Sequence, residues 1–273
     1  MNRLKRISLA GWSCVLSSAL FFGCTTMGAG PGGFDSSEAT QAVSAQVPEN
    51  EVQQRAKVHT ELGSLYLMDG RPAVALEEAR IALSVDSSYA PAYSLLGLTH
   101  MTLGESRLAG ENFEKALSLA RGDPEINNNY GWFLCQTGRE QRAMEYFMTA
   151  ARNPLYATPT KAYTNAGICA LRTKDYKTAE DHLAQALRLA PANTQAMYWL
   201  GDLTYRMGRY AEARQWVGEV EKLQEPTAEL LWLGLRAERK LGNREAEARL
   251  AVQLRKRFAN STENRLLMQG QYE

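Results

Sequence analysis

Residues 90–123 read APAYSLLGLTHMTLGESRLAGENFEKALSLARGD, and this stretch decides how the rest of the chain is read. Leu96-Gly97 is followed seven residues later by Gly104, twelve later by Ala109 and sixteen later by Phe113. Apolar and small residues spaced by three and four on each side of a central glycine describe two amphipathic helices joined by a tight turn. The same pattern recurs along the chain. Its first pair is Leu62-Gly63, and the later ones are Tyr130-Gly131, Ala166-Gly167, Leu200-Gly201 and Leu233-Gly234, with the glycines 33 to 36 residues apart. Twelve residues after each glycine stands an alanine: Ala75, Ala109, Ala143, Ala179, Ala213 and Ala246. Four further on come Ala79, Phe113, Phe147, Leu183, Val217 and Leu250. Gly70, Gly104, Gly138 and Gly208 mark the turns; Lys174 takes that place in the fourth copy, and Gly242 is displaced by one in the sixth.

A period near 34 with small residues at two fixed positions resembles the tetratricopeptide repeat. The resemblance spans about residues 56–260 and implies an all-α superhelical solenoid of about six helix-turn-helix repeats, at approximately 56–89, 90–123, 124–157, 160–193, 194–226 and 227–260. In the sixth copy Gln253 occupies a normally small or apolar site, as in a terminal repeat with a polar outer face. Asn260 with Glu263 resembles a capping box that opens a short final helix through about Leu267. The repeat domain is expected over 53–273.

The start of the chain is different. Arg3, Lys5 and Arg6 precede an apolar run from Ile7 to Phe22 and then Gly23-Cys24, the order of charge, apolar core and small-residue exit found in secretory signals. The run is shorter than the ~20 residues a spanning helix needs. Gly23-Cys24 resembles a bacterial lipobox, with Phe21 where that motif usually has leucine and Leu20 one step earlier. The resemblance implies a lipoprotein signal peptide over 1–23 and acylation of Cys24, and Thr25 rather than aspartate after the cysteine implies export to the outer membrane, facing the periplasm. An ordinary secreted protein cleaved nearby, or a retained anchor, is the alternative. Cleavage removes three of the 31 basic residues and none of the 30 acidic ones, for a net charge near −2. Residues 24–52, rich in Gly and Ser, read as a lipidated flexible linker with a reach of about 25–30 Å.

Composition and motif exclude several functions. At 273 residues with 22% charged and a formal net charge of +1, the chain has no field for gathering phosphates, so nucleic acid is not an expected partner. His59, His100 and His182 lack metal-ligand spacing, and there is no phosphate-binding glycine loop or nucleophile elbow. No metal, cofactor, small-molecule substrate or catalytic residue is expected. An enzyme with residues dispersed among helices would need a deep pocket of perturbed groups, and nothing in the sequence asks for one.

Cys135 and Cys169 fall late in the first helices of consecutive repeats, which lie side by side in a solenoid. In an oxidising periplasm they form either a disulfide that staples two repeats or two small buried thiols. The usual lining positions of the repeat family, carried onto this register, give a protein-binding groove of Thr60, Ser64, Leu67, Met68, Ser94, Leu98, Met101, Asn128 and Trp132. This end is apolar and suited to a hydrophobic strand or an amphipathic peptide. The later copies turn charged, with Lys161, Arg172, Asp202, Tyr205, Arg206, Glu238 and Arg239.

Three further stretches narrow the resemblance: Asn128-Asn129-Tyr130-Gly131 running on to Phe133-Leu134-Cys135, the long inter-repeat segment from Asn153 to Pro159, and Asn165-Ala166-Gly167-Ile168-Cys169. With the lipobox-like start and six repeats they are similar to the type IV pilus biogenesis and stability lipoproteins, the PilF/PilW pilotins. That resemblance implies assistance to the pilus secretin in insertion or multimerisation, or stabilisation of the pilus. A tetratricopeptide adaptor that recruits cell-wall hydrolases, or serves outer-membrane protein assembly, is the rival reading.

Overall fold

A computed structural model describes residues 50–272. Over these the chain is all helical, with thirteen α-helices and no strand. Six antiparallel pairs form the repeats: α1 (Glu51–Met68) with α2 (Pro72–Val85), α3 (Ala90–Thr102) with α4 (Ser106–Leu119), and α5 (Pro124–Gln136) with α6 (Glu140–Ala151). They continue as α7 (Pro159–Arg172) with α8 (Tyr176–Leu189), α9 (Thr194–Arg206) with α10 (Tyr210–Leu223), and α11 (Ala228–Lys240) with α12 (Arg244–Arg257). Helix α13 (Thr262–Gln269) packs against both members of the last pair.

Local chemistry sets the boundaries. Side chains of Asn50, Asp123, Asp175, Asn193, Thr227 and Asn243 each accept a hydrogen bond from a first-turn amide, satisfying a donor the helix leaves open. Pro72, Pro124 and Pro159 start their helices at the position where a missing N–H costs nothing. Every first helix ends in one repeated device. The chain passes through a left-handed residue, and the next amide donates to the carbonyl five residues back, as in Arg71 N to Tyr66 O at 2.8 Å and Asp175 N to Ala170 O at 3.0 Å. Gly70, Gly104, Gly138, Gly208 and Gly242 supply the positive φ; Lys174 adopts it at 60° and is the sole non-glycine residue to do so among the described residues.

Packing follows the periodic positions. The alanines twelve residues after each paired glycine are all buried. The paired glycines permit close approach: a Cβ on Gly97 would stand 2.8 Å from the Phe113 ring, one on Gly131 2.9 Å from the Phe147 ring and one on Gly167 2.6 Å from Leu183. Phe113, Phe133 and Tyr130 form an aromatic cluster, centroids 5.4 to 6.0 Å apart, at the centre of a core that runs from α1 to α7.

Two expectations for the C-terminal end need correction. The extra residue before Gly242 shifts the register of α12, so Leu254 is fully buried and Gln253 lies half-exposed beside it. The final helix is capped by Ser261, whose hydroxyl accepts from Asn264 N, rather than by Asn260, and it runs to Gln269.

Candidate protein-interaction surface of the first helices

Six of the nine expected groove residues are walled in. Thr60 and Ser64 are buried and turn their hydroxyls back onto α1, donating to Ala56 O and Thr60 O at 2.8 Å each. Leu67 and Leu98 belong to the main core, and Ser94 and Asn128 are buried in the junction between neighbouring first helices. The cause is steric: short side chains at 60, 64 and 94 let α3 close against α1, and α5 against α3, until the seam is covered. Met68 is exposed, whereas Met101 and Trp132 are half-buried, packed on the core with part of each side chain in solvent. Of the nine expected groove residues only two methionines and a tryptophan therefore reach solvent, a small patch in place of a nine-residue trough; outside that set the first three repeats also expose Val52, Val58, Leu65, Leu103 and Leu119.

Behind that patch lies a polar ladder that periodicity did not reveal. Asn165 on α7 donates from Nδ2 to Asn128 Oδ1 at 3.0 Å, Asn128 donates to Asn129 Oδ1 at 3.4 Å, and Asn129 donates to Ser94 Oγ on α3 at 3.2 Å. All four are buried, so each amide relies on the others in place of water. Further along the same helices, about two turns past Asn128 on α5 and one past Asn165 on α7, Cys135 and Cys169 form a disulfide with Cα atoms 5.8 Å apart, within the ordinary range. Ladder and disulfide together tie three consecutive first helices.

The long segment between repeats three and four is anchored by a second buried polar group. Glu125 receives Lys161 Nζ at 3.1 Å on one carboxylate oxygen and the Thr158 hydroxyl at 3.3 Å on the other. Burial pushes the Glu125 carboxyl above its ordinary range, and the Lys161 ammonium pulls it partly back. Tyr156, in the same segment, is buried against Ala150 and Ala162.

The charged residues of the later copies are mostly engaged in ion pairs. Arg172 is exposed and reaches Glu140 at 3.8 Å, Asp202 is buried and holds Arg206 at 2.6 Å, and exposed Arg239 meets Glu247 at 2.7 Å. Glu238 is buried and Tyr205 half-buried. His59 pairs with Glu78 and His100 with Glu105, while His182 sits half-buried beside Tyr163. No trio of metal-ligating side chains converges among the described residues, and no described helix is long and apolar enough to cross a membrane. Cys24, the expected signal and residues 24–49 of the expected linker lie outside the described residues; Glu51 and Val52, expected to close the linker, instead open α1, because Asn50 caps the helix there.

Comparison with known proteins agrees with this architecture. Models of the tetratricopeptide repeat match residues 90–123 and 170–237. The type IV pilus assembly protein PilF of Pseudomonas aeruginosa is 29% identical over 205 residues, 75% of this chain and 81% of that protein. The crystal structure of PilW, a widely conserved type IV pilus biogenesis factor, superposes with a TM-score of 0.72 at 29% identity, covering 80% of this chain and 99% of that one. A solved structure of Pseudomonas aeruginosa PilF gives 0.68 at 27% identity over 81% of this chain and all of the other. The chain is a tetratricopeptide-repeat solenoid, homologous to PilF and structurally related to PilW along nearly its whole repeat array.

Proposed function

We propose that this protein is an outer-membrane lipoprotein, anchored through acylated Cys24 and facing the periplasm, that supports type IV pilus biogenesis by acting on the pilus secretin. The observation that carries the reading is the likeness to PilW, which joins a matching repeat array, 80% of this chain and 99% of that one, to 29% sequence identity. The arrangement suits a holder of unassembled subunits. A rigid block of the first helices α3, α5 and α7, tied by the disulfide and the asparagine ladder, presents Met101 and Trp132, to which α1 adds Met68, as an apolar contact that can cover a hydrophobic strand without collapsing onto it. Methionines adapt to an irregular partner, and tryptophan supplies area at low entropic cost.

The test is the fraction of heat-resistant secretin multimer in outer-membrane preparations, with surface pilus counts, from cells lacking the gene and from cells expressing Met101→Asp with Trp132→Ala. Loss of multimers and pili in both supports the reading. Intact multimers with few pili would move the action to the fibre, and no change in either would remove the pilus role and favour the cell-wall or membrane-assembly adaptor. Fractionation of a Cys24→Ala variant tests the anchor: release from the membrane is expected.

A further inference from the structure

At the opposite end of the array from the apolar patch, α11, α12 and α13 enclose a cleft of about 900 Å³, near the upper end of ordinary ligand sites. Its lining contains five basic residues, Arg236, Arg239, Lys240, Arg244 and Arg255, against one acid, Glu247, which is already paired with Arg239. This concentration is not the chain's average, because basic and acidic residues are otherwise nearly balanced. Arg236, Arg244 and Arg255 form no ion pair among the described residues.

Both guanidinium groups on α11 lie against aromatic rings; Arg239 is also paired with Glu247, whereas Arg236 has rings in place of a carboxylate. Arg236 lies over Tyr205 at 4.6 Å and over Trp232 at 5.7 Å, and Arg239 lies over Tyr272 at 3.9 Å, while Trp232 and Tyr272 stack at 5.6 Å. A cation held against an aromatic face is fixed in place yet keeps its charge, in contrast to one neutralised in an ion pair. Arg236 Nε is, in addition, buried without a hydrogen-bond partner, a donor with an acceptor still to find.

We propose that this cleft binds an acidic segment of a partner protein in extended conformation. Two features select a peptide over a small anion. Arg244 and Arg255 lie eleven residues apart on α12, about 16 Å along its axis, a span that a phosphate cannot bridge but about five residues of extended chain can. Between them α12 carries Glu247, whose charge is taken up by Arg239, and then an apolar stretch of Ala248, Ala251 and Val252 faced by Leu267, which suits an aliphatic side chain flanked by two carboxylates. The expected ligand therefore carries acids about five residues apart with a valine or leucine between. The site is independent of the apolar patch and of the pilus reading, since it asks only for this charge and spacing.

The experiment titrates the purified full-length protein, in detergent, against a fluorescein-labelled seven-residue peptide with glutamate at positions 1 and 6, leucine at 3 and serine elsewhere, following anisotropy. Saturable binding is expected, weakening with salt, and absent for the peptide with lysine at 1 and 6. Arg244→Gln and Arg255→Gln, both exposed, should each weaken binding about tenfold with unchanged helicity and melting. Arg236→Lys, which keeps the charge but loses the planar ring contact, should weaken it as well. No binding at millimolar peptide, or equal affinity of the arginine variants, would overturn the proposal. So would displacement of the peptide by millimolar inorganic phosphate, which would assign a simple anion site, or capture by phosphatidylglycerol vesicles with no peptide binding, which would assign the cleft to the membrane surface.

Discussion

Replacing Gly97 by alanine and Gly218 by alanine is the same chemical change inside two helices, and the structure gives the two opposite signs. In a helix interior alanine is favoured over glycine by about 1 kcal/mol, because glycine loses more backbone freedom on folding. A Cβ on Gly218 meets nothing within 4 Å, so Gly218→Ala should gain about that amount. A Cβ on Gly97 stands 2.8 to 2.9 Å from three atoms of the Phe113 ring, where ordinary contact begins at 3.4 Å. The ring cannot withdraw: Phe113 is fully buried and packed at 5.4 Å from Phe133 and 5.9 Å from Tyr130. Overpacking of this kind costs about 1–3 kcal/mol, so the Gly97 variant should range from neutral to about 2 kcal/mol less stable. The two variants then differ by about 1–3 kcal/mol, or about 2–12 °C in melting temperature for a domain of this size. Urea unfolding with m-values reads the difference and exposes any loss of cooperativity along the array. In a Phe113→Ala background the same Gly97→Ala change should turn favourable, because the clashing ring is gone; leucine would not suffice, since Leu183 stands 2.6 Å from the corresponding Cβ position on Gly167. Stabilisation by Gly97→Ala equal to that by Gly218→Ala, or a Phe113→Ala background that leaves its effect unchanged, would refute the close-approach account of the repeat glycine.

Lys174→Gly should stabilise by about 0.5–1 kcal/mol, since Lys174 holds the left-handed conformation that glycine adopts freely at the other turns; a destabilised variant by thermal melting would contradict this. Cys135→Ser with Cys169→Ser, or reduction of the bridge, should lower stability by up to about 3.8 kcal/mol from the chain entropy of a loop of about 35 residues, measured by denaturant midpoint with and without reductant. Burial lowers the His182 pKa, only partly opposed by Asp181 and Asp175, so the unfolded chain binds a proton at a pH where the folded chain does not. Stability from this group is complete above the unfolded value of about 6.5 and declines as pH falls below it. His182→Gln should therefore lose less stability than the native protein between pH 7.5 and 5.5; an equal or larger loss would contradict the assignment.

What could be read without coordinates was whatever depends on a residue and its own repeat. The paired glycine, the alanine twelve residues on and the apolar residue after it meet inside a single helical hairpin, so their spacing suffices, and Lys174 was recognisable as a turn residue because four glycines share its place and a fifth stands one residue off it. The surface was not legible in the same way. Whether Thr60, Ser64 or Ser94 faces solvent depends on how closely the next repeat approaches, and small residues at those positions are what let it approach until they are covered. The same holds for Asn128 and Asn165: an amide on a first helix looks like an exposed polar contact until a partner 37 residues away takes it. The basic cleft needed three helices and Tyr272 brought together, which no single repeat unit encodes.

The disulfide between α5 and α7 has a mechanical consequence. A chain pulled from its two ends is a series of hairpins that can be peeled away one after another, but the 34-residue span from Cys135 to Cys169 is bypassed by a covalent link and cannot lengthen. At about 3.4 Å per extended residue, roughly 115 Å of contour stays hidden from the load. Force along the filament of helices is carried through this point by sulfur, while the repeats on either side remain free to yield. The molecule is thus two extensible arms joined at an inextensible waist, and adding reductant is the step that would make it extensible throughout.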